Sequence, residues 1–247
     1  MALPPRCNAC PVRAASLCGT LGEDAAHALS RVMHRMRVPA GRAIYGAAEQ
    51  ADTFAILISG VVKLVITKPD GRQQIVGLQF PSDFVGRPFL DGSNLSAEAA
   101  TTLELCCCSG RAFENVMREH PILERVLLKR IAADLDGARN WAFLLGRTTA
   151  QEKVASLLHL IAERMARSVV RGDKQRPCTL GLSLPLSRME MAECLGLRLE
   201  TVCRQMTQLK SRGVISTMGR RAFDVLDMEK LRNCAANATA MAMEEYV

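Results

Sequence analysis

The stretch Ser187-Arg-Met-Glu-Met-Ala-Glu-Cys-Leu-Gly-Leu-Arg-Leu-Glu-Thr-Val-Cys-Arg-Gln-Met-Thr-Gln-Leu-Lys-Ser-Arg-Gly213 decides the fold of the C-terminal part of this chain. Ser187 followed three residues later by Glu190 is a capping box, which opens a helix by satisfying backbone donors at both ends of the first turn. Leu195-Gly196-Leu197 reads as a tight turn. From Glu200 to Arg212 the apolar residues Val202, Met206 and Leu209 recur at helical spacing, and Gly213 ends the second helix. Two β-rich runs around Gly219-Arg220-Arg221 read as a hairpin. Upstream, Thr149 to Arg167 is a helix with Val154, Leu157, Leu158 and Ile161 on its apolar face. Helix, glycine turn, helix and hairpin over residues 148–232 predict a winged helix-turn-helix. The tail, 233–247, is Ala-rich and carries no clear signal.

In such a motif the second helix enters the major groove. Burying Val202, Met206 and Leu209 turns Glu200, Cys203, Arg204 and Thr207 outward. Arginine can make a bidentate contact to guanine, and glutamate can accept from a cytosine amino group. Glu200 and Arg204, four residues apart, are spaced to pair with each other. Lys210, Arg212, Arg220 and Arg221 stand where phosphates could be met. The charge agrees. Of a net +7, residues 151–232 contribute +6, from 15 Lys/Arg against 9 Asp/Glu, and basic charge concentrated in one region suits a polyanion.

Working back along the chain, 113–145 shows helical periodicity. Leu128, Ile131, Leu135, Ala138, Ala142 and Leu145 alternate spacings of three and four, a heptad seam that predicts a coiled-coil dimer contact. The region from Val38 to Cys108 breaks into short β runs punctuated by turns: Ala55–Ile58, Val61–Ile66 and Ile75–Phe80, with Gly60 and Pro69-Asp70-Gly71 between them. That pattern predicts a small barrel or roll. Residues 25–37 read as an amphipathic helix presenting Leu29, Val32, Met33 and Met36.

The first 24 residues carry Cys7-Asn-Ala-Cys10 and Cys18. Thiolates are soft ligands for iron or zinc, and two of them two residues apart can grip one metal site. The segment looks poor in apolar bulk, so a metal would be what orders it. A fourth ligand is available far downstream in Cys106-Cys107-Cys108, and a metal shared with that run would tie the arm to the barrel. The chain has ten cysteines and neither a basic start followed by an apolar run nor about 18 uninterrupted apolar residues. These features predict a cytoplasmic protein without membrane contact, whose thiols serve metal or redox chemistry.

These residues together resemble the CRP/FNR family of bacterial transcription regulators, and within it the FNR-type oxygen sensors. The resemblance is carried by Cys7-x2-Cys10-x7-Cys18, Phe80-Pro-Ser-Asp-Phe-Val-Gly86, Trp141-Ala-Phe-Leu-Leu-Gly146 and Leu195-Gly-Leu-Arg-Leu-Glu-Thr-Val-Cys-Arg204. It implies an α+β chain in consecutive parts: a cluster-binding arm (1–24), a double-stranded β-helix (jelly-roll-like) sensor barrel (25–112), a long dimerisation helix (113–147) and the winged domain. It further implies a homodimer with one [4Fe–4S] cluster per subunit under low oxygen. In the family, oxygen degrades the cluster, the dimer weakens and DNA is released. The DNA partner would be double-stranded promoter DNA with TTGAT and ATCAA halves, and RNA polymerase is implied as a further partner. Glu200 and Arg204 would read the G·C pair.

By the resemblance the cluster ligands are Cys7, Cys10, Cys18 and one barrel cysteine. Leu103-Glu-Leu105 precedes Cys106 as the family's strand precedes its ligand, so Cys106 is the choice. Strand alternation turns Cys107 away and leaves Cys108 as the fallback. Two departures matter. Cys203 stands where the family has a base-contacting Ser, and beside Arg204 it is a candidate oxidisable thiol. Ala138 replaces an Asp that opposes dimerisation, so the dimer should depend less on the cluster.

Three rival readings remain at this level. A cyclic-nucleotide receptor would need a Glu after Gly86 and an Arg-Ser pair later; Arg87 and Ser93-Asn-Leu-Ser-Ala-Glu98 stand there instead, so no cyclic nucleotide is expected. A zinc site on the same four cysteines would make the arm a structural staple and leave control to another signal or to thiol oxidation. An enzyme is not expected: no His lies in a catalytic constellation and no phosphate-binding glycine loop is present.

Overall fold

The computed structural model describes residues 3–46, 53–86, 94–169, 182–217 and 222–239. The chain divides into two compact units, Met1–Leu135 and Asp136–Val247. In the first, a short helix α1 (Pro5–Asn8) and two single turns of 3₁₀ helix lead to α2 (Glu23–Val32). Eight strands follow: β1 (His34–Val38), β2 (Ala43–Tyr45), β3 (Thr53–Ser59), β4 (Val62–Thr67), β5 (Gln73–Gln79), β6 (Phe84–Val85), β7 (Leu95–Ala99) and β8 (Leu103–Ser109). They form two four-stranded antiparallel sheets, ordered β1-β8-β3-β6 and β2-β7-β4-β5. This is the jelly-roll-like barrel the sequence predicts.

Within the β1-β8-β3-β6 sheet, strand β3 is buried on both faces, whereas β1 is largely exposed. Ala55 and Leu57 of β3, with Leu103, Leu105 and Cys107 of β8, point into the roll. Phe54, Ile56 and Ile58, with Cys106 and Cys108, point outward against the arm, α2 and the helices that follow the barrel. A strand covered on both sides reads as a continuous apolar run, which is why Thr53–Ser59 shows no polar alternation. Phe54 stacks on Phe113 with ring centroids 4.3 Å apart. The tight corner after β3 requires Gly60: at φ 93° a Cβ would stand 2.5 Å from the Thr102 carbonyl oxygen.

Helix α3 (Gly110–Glu119) is separated from α4 (Pro121–Arg147), and the division between the units falls within α4. The single helix expected over 113–145 is therefore two, because Pro121 pushes His120 out of helical geometry, to φ −131° and ψ 82°. In the first unit, Arg130 pairs with the buried carboxylate of Asp83, tying α4 to the turn between β5 and β6. A second difference lies at Met36. The helix expected over 25–37 stops at Val32, and Met36 sits on β1 opposite Leu105.

The second unit contains the rest of α4, α5 (Ala150–Val169), β9 (Leu182–Ser183), α6 (Arg188–Leu195), α7 (Leu199–Ser211), β10 (Ile215–Thr217), β11 (Ala222–Val225) and α8 (Met228–Thr239). The capping box is formed at α6: Ser187 Oγ accepts from the Glu190 amide, and a Glu190 carboxylate oxygen accepts from the Ser187 amide. Gly196 closes α6 in the left-handed conformation at φ 61°. Val202, Met206 and Leu209 of α7 are buried, as the periodicity requires. Helix α8 extends to Thr239, into the tail that carries no clear sequence signal, with Leu231 and Ala235 buried.

Leu57 is fully buried between the two sheets. Leu57→Ala is expected to lower the unfolding free energy by about 2–5 kcal/mol, the range for a core leucine truncation, seen as a lower urea midpoint. A midpoint within error of the parent would show that the roll interior is not tightly packed there.

Candidate functional site

Strand β8 places two of its three cysteines on the outer sheet face, and Cys106 is the one that meets the arm. Cys7, Cys10, Cys18 and Cys106 line a single cavity, whose apolar wall includes Leu29, Met33, Ile56 and Ile58. Cys108 is not among its lining residues; it is buried in the apolar cluster on the outer face of the sheet. Cys107 faces the roll interior, where its sulfur lies 3.4 Å from His34 Nε2. Strand alternation thus separates the three adjacent thiols as expected.

Two of the cavity thiols are shifted by their surroundings. Burial pushes the Cys18 thiol up to about 12, with further increments from Cys106, Cys10 and Cys7. Burial also raises Cys106 to about 11, with Cys7 and Cys10 adding to the effect and Arg35 opposing it. A metal entering this cavity would have to displace those protons. The thiols are joined by no His, Asp or Glu among the lining residues, and Arg6, Arg13 and Arg35 supply positive charge around them. Arg35, opposite Cys106 across the β1–β8 ladder, is held by an ion pair with Glu104. Among the described residues no three His, Cys, Asp or Glu side chains converge to hold one metal ion. One tetrahedral zinc would need that convergence. A cubane takes each thiolate on a different iron, so its ligands stand farther apart.

The arm is better anchored than its composition suggests. Val12, Leu17 and Leu21 are buried in the cluster that contains Phe54 and Phe113. The expectation that only a metal could order this segment is therefore corrected. Three apolar side chains spaced along irregular turns show no period in the sequence, which is why the segment looks poor in apolar bulk.

In the second unit, α7 presents an exposed face bearing Glu200, Cys203, Arg204 and Thr207. Glu200 and Arg204 form no ion pair with each other, contrary to the pairing their spacing allows; both are exposed and without a partner among the described residues. Thr207 Oγ1 donates to the Cys203 carbonyl at 3.0 Å, so its free capacity is as an acceptor. Lys210 and Arg212 are exposed at the far end. Arg221 and Arg220 lie outside the described residues, as do Arg87 and Ser93.

A helix-turn-helix with that polar face, behind a jelly-roll domain and a long helix, is matched along the chain by known proteins. Residues 152–234 match the Crp-like helix-turn-helix domain, and residues 35–120 match the cyclic nucleotide-binding domain. A protein of Rhizobium leguminosarum bv. viciae described as a "Probable transcriptional activator" is 43% identical over 228 residues, 92% of each chain. The chain belongs to the CRP/FNR family of transcription regulators. Transcriptional activator protein FnrL of Cereibacter sphaeroides is 40% identical over 226 residues, 92% of this chain and 90% of that one. The structure of FixK2 from Bradyrhizobium japonicum superposes with a TM-score of 0.72 at 28% identity, covering 82% of this chain and 97% of that one. As a family member, this chain is a DNA-binding regulator whose relatives are regulators rather than enzymes. None of its described helices is long and apolar enough to cross a membrane.

The cysteines also differ in access. Cys203 is exposed, whereas Cys194 is fully buried in α6 and burial pushes its thiol up to about 12. In native metal-free protein, a thiol-specific disulfide reagent should label Cys203 readily and Cys194, Cys107 and Cys108 only after unfolding, as peptide mapping can show. Early labelling of Cys194 would mean that α6 opens readily.

Proposed function

We propose that this regulator activates transcription in response to low oxygen, through one [4Fe–4S] cluster per subunit held by Cys7, Cys10, Cys18 and Cys106. The observation that carries this reading is the cavity: three cysteines of the arm and one of β8 line it with no His, Asp or Glu among the lining residues, and the Ser16 and Ser30 hydroxyls there donate to backbone carbonyls. When bound, the cluster supplies an oxygen-labile centre. The chain's own residues do the rest. Ile56, Ile58, Leu29 and Met33 form an apolar wall that limits water, and Arg35 faces the anionic thiolates with its charge held in place by Glu104.

Assembly is assigned to α4. Leu128, Ile131 and Leu135 are 65%, 45% and 51% exposed, and Ala138 and Ala142 continue the same stripe. An exposed heptad stripe of this kind is buried by a second copy of the helix, which makes the protein a homodimer. Leu145, half-buried, ends it. With Ala138 rather than an acidic residue on the seam, the cluster-free protein should keep measurable dimer. Ile131→Glu is expected to weaken dimerisation and DNA binding together, because the charge would be buried without a partner. Unchanged sedimentation of Ile131→Glu would remove α4 from the interface.

Within the dimer, two copies of α7 read a two-fold symmetric promoter site, and RNA polymerase is the partner recruited there. Glu200 and Arg204, free of each other, are available to a C·G pair; Cys203 and Thr207 flank them, and Arg221 is assigned to phosphate. The test is fluorescence anisotropy with a duplex carrying TTGAT and ATCAA halves. Anaerobic protein should bind more tightly than the same sample after air exposure. Arg204→Ala should cost roughly 1–3 kcal/mol at the matched site and relax preference at one base pair. Equal affinity before and after air would refute oxygen control, and an unaltered Arg204→Ala profile would refute the assigned contact.

A further inference from the structure

We propose that Arg6 is a positioning residue that docks the cysteine arm on the barrel before any metal arrives. The proposal rests on the cluster reading for its purpose, not for its geometry. Among the described residues, hydrogen bonds from segment 3–21 to the rest of the first unit come from Arg6 alone. Its Nη2 donates to the Ser30 carbonyl at 2.7 Å and to the Met33 carbonyl at 3.0 Å. These carbonyls lie at the C-terminal end of α2, where helical carbonyls lack intrahelical partners and the dipole favours a cation. Every other hydrogen bond of the arm among the described residues is local, such as Ser16 Oγ to the Arg13 carbonyl and Thr20 Oγ1 to the Leu17 carbonyl.

The division of labour follows from what each contact can specify. Val12, Leu17 and Leu21 are buried, but apolar burial is non-directional and leaves the register of the preceding turns free. Helix α1, which carries Cys7, buries no residue of its own. Leu3 and Cys10 on either side of it pack only partly buried against the cluster, so its placement rests on the one directional contact it makes beyond the arm, through the residue immediately before Cys7. Arg6 therefore fixes where Cys7 and Cys10 stand relative to Cys18, on the apolar part of the arm, and Cys106, on β8. A preformed cavity lowers the ordering cost of loading four thiolates, because the arm's conformational freedom is already spent. It follows that emptying the cavity shifts the arm within its seat rather than releasing it.

Hydrogen exchange on the metal-free full-length protein tests this without reference to iron. Wild type should show protected amides in α1 and the turns after it. Arg6→Met, which keeps the stem and removes the donors, should exchange there about tenfold faster, given the strength of charge-assisted hydrogen bonds. Protection of β8 and α7 should be unchanged, which verifies that the variant is folded. Arg6→Lys, retaining a cation and a donor, should recover part of the protection. On anaerobic reconstitution with iron and sulfide, Arg6→Met should develop its thiolate-to-iron absorption more slowly, with Arg6→Lys between it and wild type. Two results overturn the proposal: a wild-type arm that exchanges freely without metal, or equal protection in Arg6→Met and wild type. If none of the proteins takes up iron, the cluster reading fails, and the exchange data still decide the role of Arg6.

Discussion

The structure depends on a sheet whose central strand β3 is buried on both faces. In β8, the alternation of a strand sends Leu103, Leu105 and Cys107 into the roll and Cys106 and Cys108 out to the arm and helices. A shift of one residue in the β8 register would exchange these sets, placing Leu103, Leu105 and Cys107 toward the arm and helices and Cys106 and Cys108 inside the roll. The register is fixed from both sides, by pairing with β1 and with β3. The apolar interior therefore does more than stabilise the roll: it decides which thiol is offered to the arm.

The same layering explains how a short N-terminal segment can matter to a domain of this size. The outer face of β3 offers Phe54, Ile56 and Ile58, and the arm contributes Val12, Leu17 and Leu21 to the same apolar cluster as α2 and α3. Anything that changes the arm's seat is felt in packing that also includes Leu123 and Leu127, at the start of α4. The exposed stripe Leu128, Ile131 and Leu135 begins one residue beyond that buried pair. Arm, sheet and proposed dimer helix are thus contiguous within the first unit.

Much of this was legible in the sequence where a local period or a local cap carries the information. The capping box at Ser187, the glycine at 196 and the apolar rows of α5 and α7 appear as read. The Thr149–Glu152 cap, formed by the same reciprocal hydrogen bonds, carries an equally readable signal at the start of α5. The break at His120–Pro121 was also readable, since a proline constrains the residue before it. Less accessible were features set by distant partners. Met36 continues a helical spacing yet joins a strand, because pairing with Leu105 outweighs local preference. The apolar anchors of the arm follow no period, and the Arg6 contacts span 24 and 27 residues. The spacing of Glu200 and Arg204 permits a pair that the side chains do not make.

The central claim is that Cys7, Cys10, Cys18 and Cys106 together hold one four-iron cluster. Mössbauer spectroscopy with iron quantitation on anaerobically purified, iron-57-enriched protein tests it most directly. The account predicts about four irons per subunit with a cubane signature, lost in Cys106→Ser and retained in Cys108→Ser. Stoichiometric zinc without iron, or a cluster that survives in Cys106→Ser, would contradict it.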